Sequence, residues 1–147
     1  MAESSILSPE QRAFVEAART AILATMAPSG RSRLVPICFV LDGDTLLSPL
    51  DEKPKQVDDP RNLARVRDVT ARRRVSLLVH RWDEDWSRLG WVRLRGDARL
   101  LEPGHAPLGV IEGLRAKYPQ YEDHAIDRRP MIEVAIDRVT SWGNLAP

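Results

Sequence analysis

Residues Thr20 to Gln56, TAILATMAPSGRSRLVPICFVLDGDTLLSPLDEKPKQ, decide the fold. Thr20 to Met26 is apolar and partly β-branched, as a half-buried strand requires. Ala27-Pro28-Ser29-Gly30 is turn chemistry, with Gly30 able to take a positive φ. Arg31 to Leu41 resumes the strand pattern. Asp42-Gly43-Asp44 is a hairpin signal before a shorter strand over Thr45 to Leu50. Three strands in succession, two long and one short, form a meander, which calls for a barrel or sandwich. The Lys53-Pro54-Lys55 corner then breaks the chain away from the sheet.

Outward from this stretch, Ser8-Pro9-Glu10-Gln11 starts a helix over about Pro9 to Arg19, with Ser8 as N-cap and Gln11 as the reciprocal half of a capping box. Asp59-Pro60 opens a second helix by the same logic, with Leu63, Val66 and Val69 on one face and Arg61, Arg65, Arg67 and Arg72 to Arg74 around it. Val75 to His80 is a nearly continuous apolar run, expected to be a strand covered on both sides. Arg81 to Arg88 reads as a polar loop holding Trp82 and Trp86. Trp91 to Leu101 alternates, with Val92, Leu94, Gly96, Ala98 and Leu100 on the dry face. A third helix is predicted over Pro107 to Lys117, a loop over Tyr121 to Pro130, and a last strand from Met131 to Val139 ending near Trp142.

A chain of 147 residues, 43% hydrophobic and 29% charged, is one domain's worth and needs no staples. The net charge of +1 gives no general pull on nucleic acid, so the arginines matter only where they cluster. Cys38 is the only cysteine and sits in an apolar run, which suits a reducing compartment and a packing role. The N-terminus has no basic segment leading an apolar core, and no apolar run approaches membrane-spanning length. The expectation is a soluble cytoplasmic protein.

No dinucleotide fingerprint, Walker loop, nucleophile elbow or Cys-x-x-Cys pair is present. His80, His105 and His124 are scattered without metal-ligand spacing, so no metal site is expected. What remains is a cationic corner beside an apolar barrel. Lys53, Lys55 and Gln56 follow a strand directly and precede a helix start, an arrangement that suits a phosphate and equally suits a solvated loop.

The blocks Thr20–Pro36, Leu41–Thr45, Lys53–Lys55, Arg74–His80 and Asp85–Arg93 together resemble the split β-barrel flavin and deazaflavin oxidoreductases. That is the pyridoxamine 5′-phosphate oxidase-like superfamily, and within it the branch using the deazaflavin coenzyme F420. The resemblance runs from about Arg12 to about Trp142. It implies a mainly β protein, a six-stranded split β-barrel with peripheral helices, as a single domain over residues 1–147. It further implies a cofactor-binding set of Arg31, Arg33, Val35, Pro36, Ser48, Lys53, Lys55, Gln56 and Trp86, with Lys53 and Lys55 at the cofactor phosphate. Trp91 reads equally as a core or seam residue and as a cofactor-face residue. The chain departs from its relatives at Asp58-Asp59, acidic where they are commonly basic, at Arg72-Arg73, where Asn-Pro is common, and at Gly90, where an aromatic is common.

The function implied is transfer of a hydride from reduced F420 to a small electron-poor organic acceptor. An FMN enzyme of the same superfamily and a non-catalytic cofactor-binding protein are the alternatives. No general acid can be named from the residues. A homodimer is expected, with neither nucleic acid nor membrane as partner.

Overall fold

The computed structural model describes residues 5–50 and 59–147. The capping box forms as read: Gln11 N donates to Ser8 Oγ and Ser8 N donates to Gln11 Oε1. It launches α1, Pro9–Ala17, whose Phe14 and Val15 are buried. β1 (Ala21–Met26) pairs antiparallel with β2 (Ser32–Ile37), from Ala21 opposite Ile37 to Met26 opposite Ser32. The turn between them has Gly30 at φ +85°, the left-handed region that glycine enters without strain.

The expected six strands are seven, because Arg31 to Leu41 does not run straight through. β2 ends at Ile37 and β3 (Val40–Asp42) begins after Cys38 and Phe39. Phe39 is fully buried and its N–H donates to the Tyr118 hydroxyl at 3.1 Å, so its backbone leaves the ladder to satisfy a side chain. β4 (Thr45–Pro49) follows the Asp42–Asp44 hairpin and pairs with β3 and β7.

The second helix also begins later than the Asp59-Pro60 signal suggests. Asp59 caps only a 3-10 turn, Pro60–Asn62, by accepting from Arg61 N, and Leu63 is extended. α2 then runs from Ala64 to Ala71, with Val66, Asp68 and Val69 buried. β5 (Arg74–Arg81) and β6 (Gly90–Leu101) form a long hairpin, and β6 pairs along its length with β7 (Met131–Gly143). The loop between β5 and β6 contains a 3-10 turn at Trp86–Arg88. α3 spans Val110–Lys117, starting past Pro107 and Leu108, and the segment after it folds into 3-10 turns at Pro119–Asp123 and Ile126–Arg128.

The sheet order is β2-β1-β5-β6-β7-β4-β3. Its two edge strands are consecutive in the chain, joined through Cys38 and Phe39, and so short a link reaches only about 11 Å. The sheet must therefore roll until its ends meet. Among the described residues no ladder joins β2 to β3, so the barrel is split there. Leu23, Leu46, Leu77, Leu94 and Val134 fill its interior, with Phe14 and Val66 sealing it from α1 and α2. A second cluster, centred on Leu114, Tyr121, Ile126 and Leu47, packs beneath α3. β4 thus has both faces dry, Leu46 toward one cluster and Leu47 toward the other.

A register shift falls between Arg95 and Gly96, with Arg138 opposite Arg95 and Ile136 opposite Gly96, so that Asp137 is the extra residue of a β-bulge. Gly96 is required there, since a Cβ would stand 2.0 Å from the Ala135 carbonyl oxygen. β5 differs from expectation. Val75, Leu77 and Val79 point inward, but Leu78 is 38% exposed, so one chain covers only one face of this apolar strand.

Candidate functional site

β2 is an edge strand whose side chains alternate. Val35 packs against the core and Ile37 joins it, while Leu34 and Pro36 turn outward, Leu34 being 67% exposed. At the open end of the inward row Arg33 meets α2. Asp68, only 2% exposed, accepts from Arg33 Nε at 2.8 Å and from Thr25 Oγ1 at 2.7 Å. Desolvation alone would raise its pKa, but the hydrogen bonds from Arg33 and Thr25 and the charges of Arg33 and Arg67 outweigh it, so the carboxyl titrates below its ordinary range. Asp68 is therefore an anion at neutral pH. The Arg33 side chain is 42% exposed, and its two terminal nitrogens have no partner among the described residues.

Thr25 also lines an open groove of about 340 Å³ on the outer side of β1, β2, β5 and β6. Ala24 and Met26 give it apolar surface, and Ser32 and Ser76 add hydroxyls. Its cations are Arg74 and Arg95. Arg74 is held by Asp137 and by Asp97, the latter at 3.2 Å, and these bonds push the guanidinium further above its ordinary range. Arg95 has no ion-pair partner among the described residues, and it stands opposite Arg138 across the β6–β7 ladder. No carboxylate or imidazole is among the described residues lining this groove. Such a surface can seat a flat ring on its apolar part and an anion at its cationic end, but it offers no general acid or base.

The sequence-derived site residues are only partly brought together. Arg31 is exposed in the turn before β2, beside the groove residue Ser32, and Arg33, Val35 and Pro36 follow along the strand. Ser48 on β4 is buried, as are Leu46 and Leu50 two residues to either side, and it does not line the groove. Trp86 is 70% exposed, so it is not a core residue. It sits where β5 turns into β6, and the Arg74–Asp97 pair marks the opposite end of that hairpin. Trp91 is half-buried opposite Trp142. Lys53, Lys55 and Gln56 lie outside the described residues.

Thr25, Asp68 and Arg95 were not read from the sequence as site residues. Asp68 carried a signal, being the only carboxylate between Arg61 and Arg74 and adjacent to Val69 on the helix's apolar face. Arg95 carried none, since an arginine on the wet face of an alternating strand is ordinary.

The family model described as pyridoxamine 5′-phosphate oxidase matches residues 7–143. The chain belongs to this family. The family's split barrel binds flavin or deazaflavin nucleotides, and its members include oxidoreductases. No curated protein matches the chain. Among solved structures, a conserved hypothetical protein of Mycobacterium tuberculosis superposes with a TM-score of 0.73 at 20% identity, over 97% of this chain and 89% of its own. The heme storage protein HutZ of Vibrio cholerae gives 0.68 at 15%, over 93% and 94%. A protein described as an F420 reductase gives 0.62 at 16%, over 95% and 98%. At these identities the likeness is one of fold. The groove's residues are of a kind that suits the family's cofactors, with apolar surface for a ring and, at Arg95, a guanidinium without an ion-pair partner among the described residues for a phosphate. No helix among the described residues is long and apolar enough to cross a membrane.

Proposed function

We propose that this member of the pyridoxamine 5′-phosphate oxidase family binds the deazaflavin coenzyme F420 and transfers a hydride from its reduced form to a small, electron-poor organic acceptor. The observation that carries the reading is Arg33, held side-on by a buried carboxylate on the strand whose first residue, Ser32, lines the arginine-edged groove. When bound, the reduced coenzyme supplies two electrons and a proton together and is left oxidised. Arg33, with Lys53 and Lys55, binds the coenzyme phosphate. Leu34 and Pro36 on the outer side of β2 keep water from the ring. The acceptor takes its second proton from solvent, in keeping with a groove that has no titratable acid among its described lining residues.

The same reading includes a homodimer. Pro36, Ile22 and Leu78 form one continuous row across β2, β1 and β5, and Trp142 flanks Trp91 on the same outer surface. An apolar strand left bare on one side in a single chain is accounted for when a second copy covers it. Light scattering that found a stable monomer at micromolar concentration with coenzyme present would remove this part.

Fluorescence titration with F420, and separately with FMN, tests the cofactor. Binding of F420 followed by its oxidation in the presence of nitroaromatic, quinone or enone acceptors is the expected result. Binding of FMN alone would make the protein a flavoenzyme, and tight F420 binding without turnover would make it a carrier.

A further inference from the structure

We propose that Asp68 is a positioning residue, whose buried carboxylate holds Arg33 by Nε so that its two terminal nitrogens are left for an anionic phosphate group. This inference rests on the reading of the Arg33 corner as a phosphate site.

Three observations carry it. The first is the mode of pairing. A guanidinium that serves only stability pairs best through two parallel N–H bonds, whereas here the bond is made through Nε alone, at 2.8 Å. The terminal nitrogens remain without a partner among the described residues. The second is the completeness of the hold on Asp68. Its Oδ2 accepts from both Thr25 Oγ1 and Arg33 Nε, so β1, β2 and α2 meet at one oxygen, and a shift of any of the three elements moves the guanidinium. The third is chain position. α2 follows the 51–58 segment that carries Lys53 and Lys55, after only the 3-10 turn at Pro60–Asn62. Asp68 therefore ties the first α-helix after that segment to the strand bearing Arg33.

A positioned donor loses less freedom on binding than a free one, so the carboxylate raises affinity without touching the ligand. It also lowers the guanidinium's effective charge toward an anion, which makes the effect one of geometry, opposite in sign to simple electrostatics. Removing a negative charge near a phosphate site would otherwise tighten binding.

The test compares wild type with Asp68→Asn, using two ligands and one spectroscopic signal. Inorganic phosphate is titrated while the Arg33 Nε–Hε resonance is followed by nitrogen-edited NMR, and F420 is titrated by fluorescence. In the wild type the Hε proton should exchange slowly and shift as phosphate is added. In Asp68→Asn, where the amide oxygen can make only a neutral bond, it should exchange faster, and both affinities should fall about tenfold. Unchanged or tighter phosphate binding in the variant, with Hε exchanging faster, would reduce the pair to a structural contact and overturn the proposal, as would a wild-type Hε signal that ignores phosphate. A wild type that binds phosphate through Arg33 yet binds no F420 would overturn the coenzyme assignment and leave the positioning role standing. Should Asp68→Asn fail to fold, Thr25→Val gives the reading. It keeps the Arg33 bond but loosens the carboxylate, and is expected to weaken phosphate by a few-fold, whereas an unchanged affinity and Hε signal would count against the proposal.

Discussion

Arg95 of β6 stands directly opposite Arg138 of β7, beside the bulge that places Asp137 within reach of Arg74. Like charges in register across an antiparallel pair destabilise it by roughly 0.2–1 kcal/mol. The bulge worsens the balance, because Asp137, the nearest carboxylate in sequence, is already engaged by Arg74.

Arg95→Ser should therefore raise the melting temperature of the cofactor-free protein by about 1–3 °C at low salt, and the gain should shrink as salt screens the pair. In the same variant F420 affinity should fall about tenfold, if the uncommitted guanidinium serves the groove's anion. A melting temperature that falls would show Arg95 to be a stabilising residue, and an unchanged affinity would remove it from the site.

Tyr118 closes the gap that splits the second strand. Its hydroxyl donates to the Arg19 carbonyl at 2.8 Å and accepts from the buried Phe39 N–H at 3.1 Å. Tyr118→Phe leaves that N–H without a partner, which costs about 1–3 kcal/mol. The amide of Phe39 should show the largest loss of hydrogen-exchange protection. Equal protection in variant and wild type would mean that the break between β2 and β3 has another cause.

That break marks the limit of what local pattern could give. The capping box at Ser8, the Gly30 turn, the Asp42–Asp44 hairpin and the alternation of β6 are local features, and each formed where it was read. Phe39 leaves its strand for Tyr118, 79 residues away, and nothing near Phe39 in the chain records that partner. The same holds for the site. Arg33 was legible as a cation on a strand, but its partner Asp68 lies on a helix whose orientation only packing fixes. Ser48 matched by resemblance, yet β4 is dry on both faces and the residue is buried.

Lys117 gives a pH test. Its Nζ lies 3.8 Å from the centre of the Phe39 ring, and burial first, then the charge of Arg19, lowers its pKa to about 8. Between pH 8 and the ordinary lysine value of about 10.4 the unfolded chain holds a proton that the folded chain has lost, so stability rises with pH across that window. Burial raises the Tyr118 pKa, and that group acts in the opposite direction above about pH 10, so the clean interval is pH 8 to 10. Solvent still reaches much of the lysine, which limits the effect to about 1 kcal/mol, or about 2–4 °C in melting temperature. Lys117→Met should flatten the rise. Parallel pH profiles for variant and wild type would exclude Lys117 as its source.

Lys55 tests the phosphate assignment independently of Arg33. A charge-assisted hydrogen bond contributes roughly 1.5–3 kcal/mol, so Lys55→Ala should raise the F420 dissociation constant by roughly 10- to 100-fold. Its melting temperature should stay near that of the wild type, which separates a loss of binding from a loss of folding. Arg67 is the matched control. It is exposed on α2 and acts on Asp68 only through its charge, so Arg67→Ala should change affinity only slightly. Added salt should weaken the wild type more than the Lys55 variant, because part of the wild-type attraction is screened charge. If both variants bind like the wild type at low salt, the 51–58 segment does not hold the phosphate, and the anion is drawn instead to the Arg95 and Arg138 pair, where Arg95→Ser would then show the larger loss.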